Sequence, residues 1–232
     1  HVRAIRRIIE HDEWYEVLSW SRELAKSTVA MFICMYLALT KRKKFFVLAS
    51  ATIDSAKRLL APYKINFESN PRIRQFYGSQ TTLGQWTDGE FTAKCGAKFF
   101  ALGAGSAPRG ARNEDIRPDV IYMDDFDTDE DCRNPETLKK KWDWFEASLY
   151  PTRSISEPTL ILWCGNIIAK DCCIRRAGEK ARHWDIVNIR DKNGRSTWPA
   201  KNTEEQIDTV LSNISTKSAQ AEYFNNPVSE GT

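Results

Sequence analysis

The chain has 232 residues, with 34 Lys and Arg against 31 Asp and Glu for a net charge of +3 at neutral pH. A hydrophobic share of 41%, a charged share of 28% and a mean hydropathy of −0.52 exclude a fibrous or disordered chain and suffice for one α/β domain with a sizeable core. The charge is too small to argue for nucleic acid by itself, and the most apolar run, Val29 to Leu39, is about half the roughly 20 residues a membrane span requires.

In chain order, residues 1–13 place Val2, Ile5, Ile8 and Ile9 on one face and Arg3, Arg6 and Arg7 on another, which predicts an amphipathic helix and no signal peptide. Trp14 to Trp20 mixes aromatic and branched residues as a buried strand does, and Ser27 to Leu39 repeats apolar residues at helical spacing. Between them lies Ser21-Arg22-Glu23-Leu24-Ala25-Lys26-Ser27-Thr28. Strand, loop and helix in this order read as a P-loop, because bound phosphate needs backbone N–H groups at a helix start, a lysine on the phosphates and a hydroxyl on Mg²⁺. The two glycines of the usual pattern would fall at Trp20 and Ala25, so the stretch also fits a Lys-Ser helix start with an ordinary cap.

Lys41 to Lys44 and the Arg3, Arg6 and Arg7 group read as solvated basic patches. Phe45 to Ser50 is a second strand, and Thr52 caps a helix running to about Ser69, where Asn70-Pro71 breaks it. Glu90 to Cys95 and Lys98 to Leu102, joined at Gly96-Ala97, form a hairpin. A loop rich in glycine and arginine, with Arg109, Arg112 and Arg117, leads to an apolar strand that ends in Asp124 and Asp125. One carboxylate there suits a Mg²⁺ shared with Ser27 and the other suits an attacking water. Asp127, Asp129, Glu130 and Asp131 read as a solvated acidic turn.

Pro135 opens a helix through Tyr150 with Trp142, Phe145 and Leu149 facing the core. Thr159 to Cys164 is a strand, and Gly165-Asn166 alone reads as a turn. A helix around 171–181, a strand over 183–190, a turn at 191–194 and helices over 203–212 and 217–225 complete the chain. This alternation predicts a mostly parallel sheet with helices on both faces, in one domain over 1–232. The six cysteines hold no CxxC pair and read as reduced, and the spacing of Cys164, Cys172, Cys173 and His183 fits no common zinc pattern.

Taken together, Ser21, Arg22, Lys26, Ser27 and Thr28 resemble the variant P-loop of the large terminase subunits, which package DNA into tailed-phage capsids. Phe45 to Ser50, Arg109 to Arg112, Leu160 to Asn166, Ser196 to Pro199 and Ala219 to Pro227 follow in that family's order, so the resemblance covers nearly the whole chain. It implies a P-loop NTPase fold of the ASCE type with a small lid from the chain termini, hydrolysing ATP with Mg²⁺. Phosphates would lie on Ser21 to Thr28, Mg²⁺ on Ser27 and Asp124, and the attacking water on Asp125; Asn166 would sense the γ-phosphate. Arg22 would act within its own subunit, and Arg112, or alternatively Arg109, would reach a neighbour's nucleotide in a ring.

Implied partners are double-stranded DNA, a portal protein and a small terminase subunit, in the host cytoplasm; the isolated domain is expected to be monomeric. The resemblance also implies that the chain stops where a nuclease domain would start. Two departures stand out: Asp125 occupies the place where the family usually has glutamate, and no adenine-contacting glutamine precedes Glu10. A metal-dependent nuclease built on the acids from Asp119 to Asp131, and a non-catalytic DNA-binding module, are the alternatives.

Overall fold

The computed structural model describes residues 1–108 and 116–228, so Arg109 and Arg112 lie outside the described residues. A central sheet is built from β1 (Trp14–Trp20), β2 (Phe45–Ser50), β3 (Glu90–Thr92), β4 (Lys98–Gly103), β5 (Val120–Asp124), β6 (Leu160–Cys164) and β7 (His183–Val187). Its order is β3-β4-β2-β5-β6-β1-β7, with only β3 antiparallel. Helices α1 (Val2–Ile9), α2 (Lys26–Leu39), α3 (Ile53–Ser69) and α4 (Pro71–Tyr77) fall in the first half. The second half adds α5 (Asp129–Arg133), α6 (Pro135–Trp144), α7 (Cys173–Lys180), α8 (Glu204–Ser212) and α9 (Thr216–Tyr223).

The inner strands read as continuous apolar runs because both faces are covered. Alternate residues serve opposite faces: Leu18, Tyr122 and Leu162 join one core with Ile33, Leu37 and Leu60, whereas Val17, Met123 and Trp163 join the other with Trp142, Phe145 and Leu149. Trp163 is fully buried against the ring of Phe145, centroids 4.7 Å apart, so truncating it to alanine costs about 3–5 kcal/mol. The packing matters for function because β6 sits between β1 and β5. Leu18 and Asp124 both pair with Cys164, which brings the ends of the loop strand and the acid strand to one level.

Several local expectations change. Asn70-Pro71 ends one helix and starts another, since the Asn70 side chain accepts from the amides of Arg72 and Ile73. The long helix keeps α form only to Trp144, then widens into a π turn over Phe145–Leu149 and a 3₁₀ turn at Tyr150–Thr152. The acidic run is a short helix capped by Thr128, with its acids in the first turn. Asp127 is not solvated: its carboxylate accepts from the amides of Cys173 and Ile174 at 2.8 Å each, anchoring the start of α7.

The basic patches are also less solvated than their composition implies. Lys43 is buried, donating to the carbonyls of Asp12 and Pro158, and this burial pushes its pKa down. Arg7 forms a paired contact with the fully buried Glu16, at 2.8 and 2.7 Å. Removing one partner of such a pair strands the other's charge, so Arg7 is a structural residue.

Candidate active site

At the C-terminal end of the parallel strands, the chain from Ser21 to Ala25 turns between β1 and α2. Open parallel sheets bind ligands at that end, where strand ends and helix starts converge. Glu23 and Ala25 both adopt positive φ, 71° and 61°. That conformation is the physical reason a glycine suits the position of Ala25, and a methyl group there costs about 1 kcal/mol or more. No side chain caps α2, so its first amides face the cleft with the positive end of the helix dipole.

The two stretches meet directly. Ser27 Oγ donates to Asp124 Oδ2 at 2.7 Å, although 97 positions separate them. Tyr122 also donates its hydroxyl to Oδ2. Burial, and then the neighbouring charge of Asp125, push the Asp124 carboxyl from its ordinary 3.8 up to about 6, while Tyr122, Ser27 and Lys26 pull the other way. A hydroxyl and a carboxylate oxygen held at this distance in a partly charged cleft form the hard-oxygen donor set that Mg²⁺ prefers, so the residues present fit that ion. No group of three or more His, Cys, Asp or Glu suited to a metal occurs among the described residues, so the remaining ligands would come from phosphate and water.

The cleft has a volume of about 640 Å³ and is lined by Arg22, Glu23, Ala25, Lys26, Ser27 and Thr28 from the loop, Asp125 beyond β5, and Asn166 beyond β6. Asp125 has φ 46°, another left-handed position, and its amide donates to the carbonyl of Cys164 at 3.3 Å. Three expected site residues do not line the cleft: Asp124 is buried just beneath it and meets it through Ser27, and the other two are Ser21 and Leu24. Ser21 is buried, its amide on the carbonyl of Val187 and its hydroxyl on that of Arg22, so it shapes the loop; Leu24 packs into the core.

Glu222 of α9 was not singled out in the sequence, yet it links the site's elements. Arg22 Nε donates to its carboxylate at 2.8 Å and the Arg22 amide to its carbonyl at 3.1 Å. Asn166 Nδ2 donates to the same carbonyl at 3.0 Å, leaving Asn166 Oδ1 buried without a partner. Lys201 donates to both the carbonyl and the carboxylate of Glu23, at 2.9 and 2.8 Å. The closing segments thus cover the loop as the expected lid. For Glu222 the only signal in the sequence was its place in the Ala219–Pro227 stretch; for Lys201 there was none beyond its nearness to Trp198.

Neither a protein-family model nor a curated protein sequence matches this chain. Among solved structures it resembles the large terminase ATPase domain of Thermus phage P74-26, at 13% identity and a TM-score of 0.58 over 97% of this chain and 92% of that one. The large terminase of a second thermophilic bacteriophage, solved in complex with ADP, aligns at 15% identity and 0.57, covering 92% of this chain and 48% of that one. That of bacteriophage HK97 aligns at 13% and 0.58, covering 93% and 47%. The fold is therefore the P-loop fold of large terminase ATPase domains, with β6 inserted between β1 and β5. The chain spans about half the length of the ADP-bound terminase and of the HK97 protein.

Proposed function

We propose that this chain is the ATPase motor domain of a DNA-packaging terminase, hydrolysing ATP with Mg²⁺ to drive viral double-stranded DNA into procapsids. The observation that carries the reading is the contact of Ser27 with Asp124 beside the uncapped start of α2. It joins the two stretches that phosphoryl transfer requires, and it does so in a fold shared with terminase ATPase domains.

The loop amides and Lys26 hold the β- and γ-phosphates, and Thr28 lines the same wall. Ser27 and Asp124 hold Mg²⁺, which when bound neutralises charge on the phosphate oxygens. Asp125 orients the attacking water and accepts its proton. Because aspartate is one methylene shorter than glutamate, turnover by the isolated domain is slow. Asn166 reads the γ-phosphate from the end of β6, and Arg22 exchanges its hold on Glu222 for phosphate oxygen. In a homo-oligomeric ring around DNA, Arg112, with Arg109 as the alternative, completes the neighbouring subunit's site. Portal protein and small terminase subunit are the partners and host cytoplasm the setting.

Geometry disfavours the nuclease reading. Asp119 lies at the opposite end of β5, accepting from the amides of Lys44 and Phe45, while Asp127 holds α7 and Asp131 pairs with Lys141 at 2.8 Å. These acids are committed to separate structural contacts, so they do not gather around a metal pair. Phosphate release and plasmid cutting, measured side by side with Mg²⁺, separate the readings. Release without cutting supports the ATPase; cutting without release supports a nuclease, and neither leaves a binding module.

A further inference from the structure

Asp124 meets two hydroxyls at one oxygen, and only one of them belongs to the loop. Ser27 and Tyr122 both donate to Oδ2, whereas no donor among the described residues reaches Oδ1. Strand periodicity explains the second donor: residues 122 and 124 share a face of β5, the face that packs against α2 and α3. A carboxylate oxygen has two lone pairs, so the two donors fill Oδ2 and fix the rotation of the carboxylate, and Oδ1 is left open. The two anchors differ in kind. Ser27 lines the cleft and has to offer its own oxygen to the ion, whereas Tyr122 is fully buried and held by the core. Phenylalanine at 122 fills the same space, so packing alone does not call for the hydroxyl.

We propose that Tyr122 is a positioning residue for the metal: from the core side its hydroxyl fastens the Asp124 carboxylate by Oδ2 and keeps Oδ1 free for the ion or a water on it. The inference rests on the Mg²⁺ reading above and deepens it by one partner behind the ligands. A loose carboxylate can turn either oxygen to an ion and loses that rotational freedom on binding, whereas one fastened from the core has lost it on folding. Ser27 cannot do this alone, because the same hydroxyl has to serve the ion. Partners behind metal ligands fix ligand orientation in this way, and removing one typically costs about 10–100-fold in metal affinity. The acid strand thus carries both the ligand and, two residues earlier, the group that aims it.

The test reads metal affinity rather than turnover, on the whole chain. Mn²⁺ stands in for Mg²⁺ because its electron spin resonance signal reports the free ion, and ADP supplies the phosphates. Tyr122→Phe, with circular dichroism like the parent's, should weaken Mn²⁺ about tenfold in the presence of ADP. ADP binding without metal, measured by calorimetry in EDTA, should stay within twofold of the parent, since the hydroxyl acts through Asp124 alone. Tyr15→Phe is the control: that hydroxyl is buried without a hydrogen-bond partner, and the side chain packs on the opposite face of the sheet from Tyr122. Its loss should leave both affinities within twofold. If Tyr122→Phe binds Mn²⁺ as tightly as the parent, fails to fold, or weakens no more than Tyr15→Phe, the hydroxyl serves the fold and the inference is overturned. If the parent binds no ADP in the presence of Mn²⁺, the nucleotide reading itself falls, and this inference with it.

Discussion

Asp124 is held ionised at neutral pH at a cost, and Asp124→Asn should expose that cost as a gain in stability. Moving a carboxyl from 3.8 to about 6 on folding corresponds to about 3 kcal/mol at pH 8. The sign follows from the raised value. Well below pH 3.8 the group is protonated in both states and costs nothing; between 3.8 and about 6 the unfolded chain ionises first and the penalty builds, and above about 6 it is complete. An amide keeps one oxygen, and since Ser27 and Tyr122 both donate to Oδ2, that oxygen serves both hydroxyls. The weaker hydrogen bonds to a neutral oxygen are already counted, because the value of about 6 includes the downward pull of Tyr122 and Ser27. A gain of about 3 kcal/mol raises the melting temperature of a chain this long by about 6–12 °C. Thermal melts without Mg²⁺ at pH 8 and pH 4.5 check this: the gain should be full at the first and cut to about a third at the second. A lower melting temperature at pH 8 would refute the reasoning. The same variant should lose stabilisation by Mg²⁺ and ATP.

Ala25→Gly should stabilise the protein by about 1 kcal/mol in a denaturant titration, since glycine adopts positive φ freely; a loss of that size would contradict the turn geometry. Asp125→Asn should bind ATP as tightly as the parent and lose most turnover, a division that single-turnover kinetics with parallel binding measurements would check. Arg112→Ala protein should be inactive alone and regain hydrolysis when mixed with Lys26→Ala protein in assembled rings, because the inactive partner still supplies Arg112. Absence of recovery in demonstrably mixed rings would count against a role in trans.

Local chemistry made much of this legible. The strand, loop and helix around Lys26, the acid-ended strand at Asp124, the hairpin at Gly96 and the core face of Trp142, Phe145 and Leu149 all follow from short-range pattern, and the structure places them so. What escaped depends on distant contacts. Asp127 looks like any surface acid until α7 arrives 46 positions later, and Lys43 looks solvated until Pro158 covers it. Tyr122 reads as one more core aromatic, because nothing in an apolar run reveals a hydroxyl aimed at Asp124. Glu222 lies 200 positions from Arg22, so only the fold could pair them. Glycine-based patterns pass over the loop at Ala25, whereas the backbone accepts the left-handed turn with a methyl group present.

The central claim is that Lys26 and the start of α2 form a working triphosphate site. Phosphate release from ATP with Mg²⁺ by the purified chain and by Lys26→Ala, with matching circular dichroism and melting curves, tests it most directly. The account predicts measurable release by the parent and none by the variant, with the fold intact in both. Release by Lys26→Ala at the parent's rate would contradict it.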